Sequence, residues 1–248
     1  MTNIERQTPI GVSPAGLLPV SLPLVLAALS WAFVLAGSGT GMSVLAMTSL
    51  HFPPVSQIGA VFRPWTAVYA IQMMLMWWIM MLAMMLLPLA IFARSAFRQA
   101  RVTSAVTFLV GYSSVWLLFA IAATGLQWVA EKAELFHPFM MWSISPIFSS
   151  ALLAGAGLFQ LTGLKSRTRF ACQTSEFSLA SGLDFGKNCS ICTGPIMLLF
   201  LAGGTMNMAW MVGLTLIVLA ERRLDDHRLF DRLLASLLIA LGVWSLVA

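Results

Sequence analysis

Three sulfur-rich stretches hold the side chains whose type and spacing suit chemistry. The first is residues 65–92, WTAVYAIQMMLMWWIMMLAMMLLPLAIF, with seven methionines between positions 73 and 85 and no charged residue. On an α-helix, residues three and four apart share a face. Met73, Met76, Met80 and Met84 therefore form one ridge, and Met74, Trp78, Met81 and Met85 the adjacent one. Neutral thioethers are soft ligands that tolerate a low dielectric, and soft ligands select Cu(I). Methionine is also a flexible gap-filler that packs against aromatics such as Trp77 and Trp78, so the stripe alone favours ordinary packing. If part of it is a site, Met80, Met81, Met84 and Met85 are the candidates.

The second stretch, Met206-Asn207-Met208-Ala209-Trp210-Met211, puts Asn207 and Met211 on one helical face and Met206 with Trp210 on another. An amide in a membrane span commonly hydrogen-bonds a neighbouring helix, and Gly203 and Gly204 would admit that helix closely. Beside a metal, Asn207 and Trp210 would orient the ligands Met206 and Met211. The third stretch is Cys189-x-x-Cys192, followed by Thr193, Gly194 and Pro195. Two thiols at this spacing can chelate a soft metal, and a helix N-terminus would favour the thiolate. Cys172 could add a third sulfur if its loop folds back. The same spacing serves thiol–disulfide exchange, although a stable disulfide would be unusual in the cytoplasm.

The elements that must position these groups follow from composition. With 59% hydrophobic and 9% charged residues in 248, the chain carries more apolar surface than one water-soluble core can bury. The lipid bilayer is then the solvent, and backbone satisfaction in hydrocarbon selects helices. An all-α polytopic membrane helix bundle of about six transmembrane helices is expected, at 18–35, 65–92, 102–129, 138–161, 195–220 and 229–247. Residues 1–17 read as a cytoplasmic tail, and 18–248 as a single integral membrane domain. At about 1.5 Å per residue, the 65–92 run reaches roughly 42 Å, enough to cross at a tilt. Between the first two spans, residues 42–52 could form a short interfacial helix.

Arg94, Arg98 and Arg101 place the end of the second span in the cytoplasm. The loop with Glu131, Lys132, Glu134 and His137 is then external, and Lys165, Arg167, Arg169 and Lys187 lie on a second cytoplasmic connection. The fifth span, started at Pro195, puts Cys189 and Cys192 at its cytoplasmic mouth. It also leaves Arg222, Arg223, Arg228 and Arg232 outside, against the positive-inside rule. A break at Gly203-Gly204, making 190–203 a re-entrant half-helix, would remove that conflict.

The net charge of +5 comes from basic residues in short connections, which topology explains and which gives no reason to expect nucleic acid. His51 and His137 could gather an incoming metal or be merely solvated, and His227 reads as a surface residue. No Ser-His-Asp arrangement, phosphate loop or nucleotide fingerprint occurs, which turns the reading from catalysis towards binding.

The segments WWIMMLAMMLLP, FQLTGLKSRTRFAC, NCSIC and GGTMNMAWMVGLTLIVLAER occur in the order found in a bacterial family of predicted metal-binding integral membrane proteins that carries a domain-of-unknown-function label. The chain resembles that family over roughly residues 65–245. Its motif positions correspond to Met80, Met81, Met84, Met85, Pro88, Cys172, Cys189, Cys192, Met206, Asn207, Trp210 and Met211. The chain departs from the pattern at Gly163, Asn188 and Cys192-Thr193, the last costing one potential ligand. The resemblance implies metal association. With the residues, it supports an inner-membrane protein that binds a soft metal, Cu(I), and moves or delivers it, with a metallochaperone or membrane complex as partner. The alternatives are a non-catalytic subunit or assembly factor of a membrane metalloenzyme and a membrane thiol oxidoreductase.

Overall fold

The computed structural model describes residues 18–37, 48, 52, 64–136, 141–171, 177–205, 207–224 and 227–247. The N-terminal tail, most of the expected interfacial helix, His51, His137, Cys172 and Met206 lie outside these residues. Among the described residues the backbone is helical, with one isolated antiparallel bridge, Phe136 to Ser143.

The first span is α1, Leu18–Leu35, and the methionine-rich run is α2, Ala67–Phe92. The Thr66 hydroxyl caps α2 by accepting from the Tyr69 amide. Pro88 lies inside α2 and supplies no N–H to the carbonyl of Met84, one turn back. A short amphipathic piece, α3 (Arg94–Gln99), turns the chain by burying Phe97 against Phe108 and Phe177. Next come α4, Val102–Lys132, and α5, Pro146–Gln160. The fourth span was expected from residue 138, but its helix begins at Pro146, where Ser145 caps Phe148 and proline suits a first turn.

The basic stretch after α5 is not a loop. It is helix α6, Gly163–Ala171, bent 66° from α5. The fifth span differs most. A capping box of Ser178 and Ser181 starts α7, Leu179–Met197, so Pro195 sits near that helix's end and not at its beginning. A turn leads to α8, Phe200–Gly203, which stops where Gly204 adopts φ 98°. That left-handed backbone is one glycine takes without a Cβ penalty. The continuous span expected over 195–220 is therefore interrupted at the alternative break, although the segment before it begins at Leu179 and not at residue 190. Beyond it run α9, Met208–Arg223, and α10, His227–Val247.

α4 packs along α7, α5 along α10, and α1 along α2. The α4–α7 approach is so close that a Cβ on Gly182 would lie 2.2 Å from the carbonyl oxygen of Phe108. Five helical stretches are long and apolar enough to cross a membrane, and six if α5 and α6 count as one bent span. The outer faces of α1 and α10 present Leu24, Leu29, Phe33, Leu233, Leu237 and Trp244 outward, as lipid contact requires. The molecule is a polytopic membrane helix bundle with α2, α4 and α7 at its centre.

Candidate metal site

On α2, Met80, Met81, Met84 and Met85 are all buried, as are Met73 and Met76 nearer its start. Trp residues fix the helix rotationally. The Trp78 indole donates to the Ser113 carbonyl on α4 and the Trp77 indole to Gln127, which in turn donates to Glu131. Glu131 also accepts from Trp65 at 2.6 Å, so it belongs to the last turn of α4 and not to a solvated loop.

Cys189 and Cys192 are buried thiols with no disulfide between them, well inside α7, which starts at Leu179. They are not at a helix mouth, because the helix extends upstream to Ser178, and the helix N-terminus does not act on them. Spaced i, i+3, they face different neighbours. Cys189 Sγ lies 3.7 Å from the Tyr112 hydroxyl of α4 and 3.7 Å from Arg222 Nη2 of α9. Cys192 Sγ lies 3.8 Å from Glu221 Oε1. One turn after Cys189, the Thr193 hydroxyl is 2.9 Å from the Cys189 carbonyl and 3.8 Å from Met85 Sδ. Tyr112 also reaches the Met85 carbonyl at 3.4 Å. Met85, Tyr112, Cys189 and Arg222 line one cavity of about 180 Å³.

Two predicted residues, Met85 and Cys189, line this cavity, and the other predicted ones among the described residues are not part of its lining. Met211 is buried on α9, eleven residues before Arg222 and so about 16 Å along the axis. Asn207 is buried at the break, where its Oδ1 caps the Ala209 amide and its Nδ2 donates to the Gly203 carbonyl. Through these two bonds it ties α8 to α9 across the break. Trp210 is half-buried, covering Gly203 and tilted against Phe52 at 5.5 Å.

Beside Cys192 lies a buried cluster of four charges. Lys165 Nζ is 3.1 Å from Glu221 and 2.9 Å from Asp231, and Arg169 Nη2 is 2.8 Å from Glu221 and 2.7 Å from Asp231. Gln160 accepts from Lys165 as well. Two cations against two carboxylates balance, which is the condition for burying them. These contacts place the ends of α6 and α9 and the start of α10 together. The basic residues around Arg222–Arg232 therefore share a side with Lys165 and Arg169, correcting the expectation that they lie opposite. The chain turns back at Gly204, so the conflict with the positive-inside rule disappears.

Sequence reasoning passed over Tyr112, Arg222 and Glu221, and also Met197 and Met141. Met197 is fully buried and sits at i+8 from Cys189, on the face shared with Thr193, a spacing that could have been read. Met141, whose Sδ receives the Thr205 hydroxyl at 3.4 Å, gave no periodic signal.

Among the described residues no three His, Cys, Asp or Glu side chains gather as a metal cage. What the cavity offers is a thioether, a thiol and a phenol, a set suited to a soft cation and poorly to hard ones. Fold and donors together define an all-α bundle of helices long and apolar enough to cross a membrane, with a cavity lined by Met85 and Cys189 in its core. The chain matches the PpoB2 family model, described as copper chaperone, over residues 74–245, and it belongs to that family. No curated protein and no solved structure matches it.

Proposed function

We propose that the chain binds Cu(I) at sulfur within the bacterial inner membrane, its N-terminus cytoplasmic, and delivers it to a partner. Met85 and Cys189 are the primary ligands. Cys192 is a second thiol one turn on, and Met80, Met81, Met84 and Met211 extend the sulfur path along the core. The single observation that carries this reading is that Met85 and Cys189, far apart in sequence, line one small cavity in a chain of the copper chaperone family. Thiolate and thioether exchange Cu(I) without redox change, as transfer requires.

The family's chaperone description favours delivery, so a metallochaperone or membrane metalloenzyme is the fitting recipient. A copper-loading assembly factor is the form in which the two leading readings meet. Thiol–disulfide exchange has less support, because Cys189 and Cys192 are both buried and face different partners.

Titration of the purified chain with Cu(I) against a chromophoric chelator tests the proposal. Tight binding that weakens in Met85→Leu and Cys189→Ser is expected. Unchanged affinity in the combined Met84→Leu, Met85→Leu, Cys189→Ser, Cys192→Ser chain overturns it.

A further inference from the structure

A second concavity lies at the other end of α2 from the Cys189 cavity, in the seam with α4. It holds about 330 Å³ and is lined by Trp65, Ala67, Ala70, Thr124, Gly125 and Trp128. A cavity of about 150 Å³ already accommodates benzene, so this groove has room for a length of hydrocarbon chain. Small residues make the hollow, and a Cβ on Gly125 would meet no other helix within 4 Å. The groove also contains a polar atom that folding leaves unsatisfied. Thr124 is more than nine-tenths buried, yet its hydroxyl has no hydrogen-bond partner. Other threonines of the bundle solve this locally: Thr193 and Thr215 donate to the carbonyls of Cys189 and Met211, one turn back. Thr124 does not, and in hydrocarbon no water takes the place of that carbonyl.

We infer that this groove binds one diacyl phospholipid, whose ester carbonyl accepts the Thr124 hydroxyl while its acyl chain lies over Ala67, Ala70 and Gly125. Position identifies the occupant. Val68, Ile71 and Ile121, close in sequence to the lining residues, are about half exposed or more, so the groove opens among side chains that meet lipid. Trp65 precedes the first turn of α2 and Trp128 is in the last turns of α4, the level at which tryptophans sit between hydrocarbon and headgroups. Thr124 is one turn further in than Trp128, about 6 Å along the axis. That is the scale of the interfacial layer, which separates headgroups from hydrocarbon. A ligand there needs an apolar chain and an acceptor just below the headgroups, and ester-linked phospholipid is the bilayer component that supplies both. The site stands apart from the sulfur cavity and does not depend on which metal is bound there.

The test titrates the whole chain, freed of endogenous lipid in mild detergent, with ester-linked phosphatidylglycerol and with its ether-linked analogue. The analogue keeps the headgroup and chains but lacks the carbonyl. Native mass spectrometry counts the molecules retained. The native chain should hold one ester lipid about three- to tenfold more tightly than the ether lipid, the range of a single hydrogen bond. Thr124→Val, which keeps the side-chain shape, should bring the two affinities together. Thr124→Ser should restore the preference, and Gly125→Phe should exclude both lipids. Equal affinities in the native chain, or a preference that survives Thr124→Val, overturn the site. So does a Thr124→Val chain that weakens equally for both lipids, since that is the behaviour of a residue that only supports the fold. Retention of a prenylated quinone in place of phospholipid, or of no lipid at all, overturns it as well. If Gly125→Phe does not fold, the ester and ether comparison across the Thr124 variants decides by itself.

Discussion

Arg222 of α9 reaches across the bundle to Cys189 of α7, its Nη2 3.7 Å from the thiol sulfur. The next residue back, Glu221, lies 3.8 Å from Cys192. One turn of α7 and two adjacent residues of α9 thus give the two cysteines different charged neighbours, a guanidinium for Cys189 and a carboxylate for Cys192. The pair behaves as two sites, one facing a cavity and one facing a buried ion cluster.

The cysteines should therefore differ in weight. Cys189→Ser removes the thiol at the cavity and should weaken Cu(I) binding about 10- to 100-fold or more, the scale on which a tuned metal site responds to loss of a supporting partner. Cys192→Ser should cost clearly less, because its neighbour is Glu221 and not Met85. Chelator competition on the two single variants gives the comparison, and equal losses would argue for a joint chelate.

The ion cluster should matter to stability in a pairwise manner. Glu221→Leu leaves fully buried Lys165 with Asp231 as its one carboxylate partner among the described residues and should destabilise the chain by about 3–5 kcal/mol. Lys165→Met combined with Glu221→Leu removes both charges and should recover most of that loss. Thermal unfolding in one detergent reads both values, and a double variant no better than the single one would mean that the charges do not act as a pair.

Helix contact predicts a contrast between two glycines. Gly182→Ala puts a Cβ 2.2 Å from the Phe108 carbonyl oxygen and must push α4 from α7, costing about 1–3 kcal/mol or more. Gly125 on α4 has open space, so Gly125→Ala should be neutral or stabilise by about 0.5–1 kcal/mol. Melting temperatures of the two variants should move in opposite directions or differ clearly in size.

The hairpin at Gly204 predicts topology. Cysteines introduced as Ser166→Cys on α6 and Arg223→Cys at the end of α9, both exposed positions, should react with a membrane-impermeant maleimide from the same side. Labelling from opposite sides would contradict the charge contacts that join Lys165 to Glu221.

Composition alone determined that the protein is a helical membrane bundle, because a chain with 9% charged residues has no other solvent for its apolar surface. The limits of α1 and the course of α2 followed from uninterrupted apolar runs, and the sulfur of α2 was legible as a buried stripe. Boundaries failed where polarity and punctuation misled. Pro195 reads as a helix start but lies inside α7, since Ser178 and Ser181 cap that helix upstream. Lys165 and Arg169 read as a solvated connection, yet they are held in α6 by carboxylates 52 to 66 positions away. Only the tertiary structure decided that Met85 and Cys189 line one cavity, that Cys192 turns to Glu221, and that Arg222 faces that cavity. Periodicity specifies which face of a helix is buried, whereas the partner across that face depends on the register and direction of other helices. Here those are set by the glycine contacts of α4 with α7 and the reversal at Gly204.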